Sequence, residues 1–519
     1  MLDRWRLIFL VFIAIYASLL LLNLAYMSIQ WDETPHLYGA SLLSQGRFQE
    51  YLSLTRYPPM FDITTAAYFE IFGPSAYAGR LVSITFVLLT LWVMFELVYR
   101  IYGPKIALLS SVLLGTMPAF VWLSRVTLIE TMLEFFFLAS MFFFFFWLRT
   151  RQNRALILSG VALGLGFLTK YQIVVAAVVM MASILLLCRG ELKARLSRFS
   201  FLIVTAVMIV LPWLVIIYQI YTGGILGQWL YVMQKSDPLS QVYSARYPLP
   251  LFYFIEMTWA HGLVHPISLV VYILGLLGLG LFMWRRKTED KFFLVWFFVV
   301  YVFFTLIGNK HWRHIMPVFP VLAVSAASFI FFVYGKAEKT WRFGQVSLNK
   351  KRAVKIAAVC LIVFTGGAVF YSGVEAYRWV AKDAVYVPIQ EATGYVAERL
   401  SDNESILVVC ASNFFNRDMV RFYLGACESR QNEVWQYPEL SVDAYTPNFS
   451  VSEVVALCEE YNVKYVLLFE YGMTYPYFNS TLTSQAVYDM LNQSGKFSCQ
   501  ISVGTNPCRI FIFYVIATR

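Results

Sequence analysis

From residue 7 to about residue 371 the chain is a succession of long apolar runs separated by short polar loops. Runs of this length are what a helix needs to cross the ~30 Å hydrocarbon core of a bilayer. The first runs from Leu7 to Ser28. Further segments follow at roughly 80–100, 106–123, 130–148, 155–169, 172–188, 199–221, 263–284, 292–308, 314–334 and 353–371. Together they predict about eleven transmembrane helices. The first run is too long for the apolar region of a cleaved signal peptide, and no small-x-small site follows it, so it reads as a signal anchor. Between the first two helices lies an unusually long polar segment, 29–79. Its stretches "HLYGASLLSQGRF" and "MFDITTAAYFEIFG" have the amphipathic spacing of helices lying in the membrane interface.

After residue 371 the pattern changes. "ESILVVCASN" and "VKYVLLFEYG" read as short buried strands, and "VSEVVALCEEY" between them has helical spacing. Residues 372–519 are therefore expected to form a small α/β domain, with 1–371 as the transmembrane module.

Composition agrees with a polytopic α-helical membrane protein: 59% of residues are apolar and 14% charged, against about 25% charged in soluble domains. The net charge of +10 does not signify nucleic-acid binding, because most of it lies in short loops between apolar runs. Alternate loops (1–6, 100–105, 149–154, 189–198, 285–291 and 336–352) hold 21 Lys and Arg, and the opposite loops before residue 371 hold nine. The positive-inside bias thus predicts a cell-membrane protein with a cytoplasmic N-terminus, and with 29–79 and 372–519 outside. All four N-x-Ser/Thr sequons (Asn403, Asn448, Asn479, Asn492) lie in the tail, in keeping with export. So do five of the seven cysteines, of which Cys499 and Cys508 are the nearest pair for a disulfide. No CxxC or His-rich metal spacing occurs.

On this topology five polar clusters share the outer side. Asp32 and Glu33 stand side by side in "QWDETPHLYG", where the first helix surfaces. "TRYPPMFD" supplies Arg56 and Tyr57, and "LSRVTLIETMLEFF" supplies Arg125 and Glu130. "GFLTKYQ" supplies Lys170, and "GNKHWRHIMPVFP" supplies Lys310, His311, Arg313 and His314. The alternative for any single cation is an interfacial snorkel; for Asp32-Glu33 it is a solvated helix end. A carboxylate among the apolar neighbours of Glu130 is expensive without a partner or a task, and Arg125 is one candidate for an ion pair. Glu134, one turn on, reads as packing or capping. Two carboxylates and several cations on one side suit a substrate with a reactive head, a phosphate and a hydrocarbon chain.

Six segments in order, "WDE", "RYPPMFD", "AGRLVSITFVLLTLWVMFELVYRIYG", "LSRVTLIETMLEFF", "GLGFLTKYQ" and "RHIMPVFP", carry a resemblance over roughly residues 25–335. The chain resembles the GT-C superfamily of lipid-phosphate-sugar glycosyltransferases. Within it, the branch of dolichyl-phosphate-mannose protein mannosyltransferases and aminoarabinose transferases is the most similar. The resemblance implies a GT-C fold and places Asp32 at the catalytic carboxylate, with Glu33 its neighbour and Glu130 at the second acidic position. It implies donor-phosphate contacts at Arg56, Lys170, Arg313 and His314, although Tyr171-Gln172 replaces the usual Gly-Pro after the lysine. Tyr57, Arg125, Lys310 and His311 remain further candidates. No "WWDYG" occurs in the tail, unlike oligosaccharyltransferase catalytic subunits.

The implied reaction moves a single sugar (mannose-like, or another hexose or pentose) from a polyprenyl phosphate, dolichyl or undecaprenyl. The acceptor is a glycan, protein or lipid at the outer face. The reaction inverts the anomeric centre, with Asp32 as general base. No cofactor is firmly implied, and for a divalent cation the ligand set is thin. A transporter or flippase of an anionic lipid is the rival reading. It would ordinarily show pseudo-symmetric halves, and no internal repeat is visible. A non-catalytic scaffold would leave Glu130 without a reason.

Overall fold

A computed structural model describes residues 3–54, 57–220, 247–260, 263–343, 348–409, 414–426, 431–438, 449–470 and 482–516. The bundle opens with α1 (Arg4–Leu21), whose first turn is capped by the Asp3 carboxylate accepting from the Trp5 and Arg6 amides. The polar segment that follows folds as α2 (Thr34–Ser44), α3 (Phe48–Leu54) and α4 (Met60–Phe72). The core then continues through α5 (Ala76–Tyr102), α6 (Pro104–Gly115), α7 (Pro118–Ser124), α8 (Glu130–Thr150), α9 (Asn153–Phe167), α10 (Val174–Leu187) and α11 (Leu192–Ile220). After a short α12 (Phe252–Glu256) come α13 (Leu269–Arg285), α14 (Thr288–Leu306), α15 (Phe319–Phe343) and α16 (Leu348–Asp383).

Helices thus lie over all eleven apolar segments. Six helical stretches among the described residues are long and apolar enough to span a membrane by themselves, or seven if α6 and α7 count as one span bent by 66°. The chain is a multi-pass membrane protein. The expected helix at 106–123 breaks because Met117 is extended ahead of Pro118. The polar groups freed there find partners: Tyr16 donates to the Gly115 carbonyl (2.7 Å), Ser372 donates to Thr116 (2.7 Å), and the Ala119 amide donates to Pro266 (3.0 Å). Irregular backbone at membrane depth is tolerated only when satisfied in this way. The turn between α5 and α6 needs Gly103, whose φ of +89° disfavours an L side chain. Where α13 crosses α15, a Cβ on Gly278 would lie 2.0 Å from the Ser325 carbonyl oxygen, so only glycine permits that approach.

The helix expected to end at 371 continues to Asp383, and the C-terminal α/β domain begins beyond it. Its sheet has the order β2-β1-β3-β5-β4. The strands are β1 (Ser405–Val409), β2 (Val434–Tyr437), β3 (Val463–Phe469), β4 (Phe497–Thr505) and β5 (Cys508–Val515). β2, β1 and β3 run parallel, and β5 and β4 join antiparallel. Helices α17 (Ile389–Ala397), α18 (Arg417–Ala426), α19 (Val451–Glu460) and α20 (Ser484–Gln493) cover it. One of its two cores is continuous with the 29–79 segment: Leu37, Ala40 and Phe69 pack with Ile406, Phe422 and Leu467. The domain is further tied down by the Ser28 hydroxyl, which donates to the Val387 carbonyl (3.0 Å).

The Cys499–Cys508 disulfide is not formed, and both are free thiols. Cys499 lies opposite Phe513 and Cys508 opposite Thr505 in the same hairpin. Five residues of offset along a strand is about 17 Å, far beyond disulfide reach. Of the sequons, Asn403 and Asn492 lie within the described residues and Asn448 and Asn479 lie outside them.

Candidate active site

Four of the predicted residues converge at the end of the bundle that carries segment 29–79. Asp32 sits in a single 3-10 turn (Trp31–Glu33) between α1 and α2. Glu130 is the first residue of α8, Lys170 follows α9, and Arg313 belongs to the 3-10 turn Trp312–Val318 that leads into α15. Arg313 bridges the two carboxylates: its Nη2 donates to Asp32 Oδ2 at 2.8 Å, and its Nη1 lies 3.8 Å from Glu130 Oε1. Lys170 Nζ reaches the same Glu130 oxygen at 3.0 Å. The Asp32 side chain is 52% exposed and that of Glu130 5%, so an incoming molecule meets Asp32 first. Glu130 Oε2 and Glu134 Oε1 are buried and have no hydrogen-bond partner among the described residues.

Local structure aims these groups. The Lys170 amide donates to the Gly166 carbonyl at 2.8 Å, closing α9 just before the lysine. The Met60 amide donates to Leu168 at 2.8 Å, holding the 57–60 turn against that corner. His311 Nδ1 accepts from the Arg313 amide (3.1 Å), which fixes the turn carrying the guanidinium. Trp312 packs edge-on against Trp379 (5.4 Å), anchoring the same turn to α16. The Tyr57 ring is tilted over His36 at 5.2 Å. Desolvation by the surrounding protein, with the nearby carboxylates of Asp32 and Glu130 adding to it, holds the Tyr57 pKa above the ordinary phenol value even though the side chain is 44% exposed. Arg56 lies outside the described residues.

Several candidates turn out to be occupied elsewhere. Glu33 is fully buried and faces away from the open site. Arg80 binds it bidentately (3.0 and 2.9 Å), and the Thr127 and Gln30 amides donate at 2.8 and 3.0 Å. Arg125 does not pair with Glu130; it donates to the carbonyls of Leu20 (2.6 Å) and Leu22 (2.8 Å), capping the end of α1. Lys310 caps the end of α14 by donating to Phe304, Thr305 and Ile307 (3.3, 2.7 and 2.8 Å), and burial lowers its pKa. His314, the residue after Arg313, faces the Asn309 carbonyl at 3.2 Å.

The structure adds residues that the sequence left unassigned. Asp62 is buried, with His36 Nδ1 at 2.7 Å and the Tyr51 hydroxyl donating at 3.0 Å. It lines a cavity of about 210 Å³ together with Tyr38, Tyr51, Tyr57 and, from the C-terminal domain, Asp418. His36 and Asp62 both stand inside quoted motifs, four and thirty residues after Asp32, but nothing in their spacing shows that they meet. Among the described residues no group of three or more His, Cys, Asp or Glu is placed to hold a metal ion.

The dolichyl-phosphate-mannose-protein mannosyltransferase family model matches residues 56–216. No curated protein sequence matches the chain. Its structure is similar to that of ArnT from Cupriavidus metallidurans in the apo state: 12% identity, TM-score 0.63, covering 97% of each chain. ArnT bound to undecaprenyl phosphate aligns with 14% identity and TM-score 0.60, covering 97% of this chain and 98% of that one. The archaeal oligosaccharyltransferase AglB from Archaeoglobus fulgidus, in complex with an inhibitory peptide and a dolichol-phosphate, aligns with 13% identity and TM-score 0.58 over 90% of this chain and 70% of that one. The chain therefore shares the fold of ArnT and AglB, in keeping with what the resemblance of its six motifs implies.

Proposed function

We propose that this protein is a membrane glycosyltransferase that moves one sugar from a polyprenyl phosphate to an acceptor hydroxyl at the outer face. The observation that carries this reading is the Asp32–Arg313–Glu130–Lys170 cluster, in which two cations flank one exposed and one buried carboxylate. The undecaprenyl phosphate bound to ArnT and the dolichol-phosphate bound to AglB, on the same fold, support a polyprenyl-phosphate donor.

In the mechanism, the donor phosphate enters between Arg313 and Lys170 and takes over hydrogen bonds now made to the carboxylates. The acceptor oxygen attacks the anomeric carbon from the opposite face. The bond from that carbon to the phosphate oxygen breaks, and its electron pair leaves on the lipid phosphate. Asp32 takes the acceptor proton, being the carboxylate that an acceptor can reach. Arg313 and Lys170 stabilise the charge growing on the leaving phosphate, and Arg56, by its position in "TRYPPMFD", would join them. Glu130, held behind them, keeps the two cations in place between turnovers. His314 and His311 hold the turn that aims Arg313. The cavity beside Tyr57, with Asp62 and Asp418, gives the acceptor room to approach. In the membrane the N-terminus is cytoplasmic, and the cluster and the outer domain are exported. Comparing native glycans by mass spectrometry in cells with and without the protein tests this. Loss of one sugar from one glycan class is the expected result, and unchanged glycans with altered lipid movement would favour a transporter.

A further inference from the structure

At the far end of α8, about 30 Å along its 21 residues from Glu130, a second site stands open. A cleft of about 290 Å³ lies between the ends of α8, α10, α11 and α14, lined by Arg149, Arg195, Glu191, Leu187 and Phe292. Arg195 is 7% exposed, yet its guanidinium is only partly used. Nε donates to Glu191 (3.1 Å), Nη2 makes a long contact with the Leu148 carbonyl (3.5 Å), and Nη1 is buried with no acceptor among the described residues. The Trp147 ring lies 5.0 Å from the Arg195 guanidinium, and its own buried indole N–H also lacks an acceptor. Leaving a buried donor of a charged group without an acceptor is costly, so this edge of Arg195 suits an anionic oxygen. Arg149, half-exposed, faces the cleft while paired to Glu289, and Arg151 pairs with Glu191. Three arginines against two carboxylates leave one positive charge in excess.

The surroundings narrow the kind of acceptor that suits it. Leu185 and Leu186 of α10 and Phe201 and Val204 of α11 are exposed beside the cleft, an apolar surface that only a hydrocarbon phase covers comfortably. A second cleft of about 280 Å³ shares Arg149 and Phe145 and adds Arg100, whose guanidinium sits 5.5 Å from Phe142 and Phe146. Cations at headgroup height with greasy helix faces below suit a phosphodiester carrying acyl chains. A guanidinium with a free edge suits its oxygens better than an ammonium does. We propose that this cleft is a binding site for an anionic phospholipid, whose phosphate accepts from Arg195 Nη1 and Arg149 while its chains lie along α10 and α11. The lipid is distinct from the sugar donor, whose phosphate belongs at the other end of the bundle.

The test uses the full-length protein in nanodiscs, either of phosphatidylcholine alone or with dioleoylphosphatidylglycerol, with retained lipid read by native mass spectrometry. Selective retention of phosphatidylglycerol is expected, weakened about tenfold to a hundredfold in Arg195→Gln, which loses one charge-assisted contact. Because Arg195 is also packed, Arg149→Gln, at a half-exposed position, serves as the second variant and should weaken retention in the same direction. Arg378→Gln, a surface change elsewhere, should leave it unaltered. Equal retention of both lipids, or undiminished selectivity in Arg149→Gln and Arg195→Gln, would overturn the proposal. So would equal protection against thermal unfolding by inorganic phosphate alone, since the ligand would then be a free anion.

Discussion

Replacing Glu33 with glutamine separates the two carboxylates of the "WDE" turn. Glu33 accepts four hydrogen bonds, two from Arg80, one from the Thr127 amide and one from the Gln30 amide, and no part of it is exposed. Arg80 is equally buried and also donates to the carbonyls of Leu24, Met27 and Ser28 at 2.9, 2.7 and 3.0 Å. This one pair joins the end of α1, the Asp32 turn, α5 and the start of α8. Glutamine would turn an N–H toward the guanidinium and leave a buried cation without its counter-charge. Breaking a buried pair in this way costs about 3–5 kcal/mol. Expressed as a ratio, that is roughly 10²- to 10⁴-fold in the population of the native fold. The assay is heat-induced unfolding of the purified protein in detergent, with trypsin half-life at a fixed temperature as a second probe. Glu33→Gln should melt well below wild type, and the pair-removing double variant Glu33→Gln/Arg80→Met should regain part of the loss. Wild-type melting in Glu33→Gln together with abolished transfer would refute this reasoning and make Glu33 a participant in the chemistry.

Arg313→Ala and Lys170→Ala should each lower donor use and turnover by about tenfold to a hundredfold, since each removes one charge-assisted contact to the leaving phosphate; unchanged kinetics in both would make them ordinary ion pairs. Cys458 should resist alkylation at pH 8 in the native protein and react once the chain is unfolded, because burial pushes its thiol up to about 12; fast labelling of native Cys458 would contradict its packing. A reporter cysteine at position 340 should be shielded from an impermeant reagent in intact cells and one in the outer domain should be labelled; the opposite pattern would invert the proposed orientation.

How much of this was legible in the sequence follows from what each residue type can signal alone. Apolar run length located the helices, because spanning a bilayer leaves few other ways to satisfy a backbone. Asp32 and Glu130 stood out because a carboxylate at such a position is expensive. The cations were harder. Lys170 and Arg313 turn to carboxylates, whereas Arg125 and Lys310, in equally promising motifs, turn to the carbonyl ends of α1 and α14. Which of these a long side chain chooses depends on which helix end lies beside it, and that is settled 100 or more residues away in the case of Arg125. The same holds for Glu33, whose partner Arg80 counted in the sequence only toward orientation. Cys499 and Cys508 misled by nearness, since the hairpin register sets thiol positions and the count of intervening residues does not.

The role of Asp32 as the base that takes the acceptor hydroxyl's proton is tested by one substitution. Asp32→Asn keeps the side chain's size and an oxygen for Arg313 but removes the base, and Glu130 remains to hold both cations. The measurement is single-sugar transfer by the purified protein, reconstituted with a polyprenyl-phosphate sugar and an acceptor, with lipid-phosphate release followed in the same sample. The account predicts an Asp32→Asn enzyme that folds and binds donor normally but transfers about 10²- to 10⁴-fold more slowly, with lipid-phosphate release falling in step. Transfer at the wild-type rate by Asp32→Asn would contradict it.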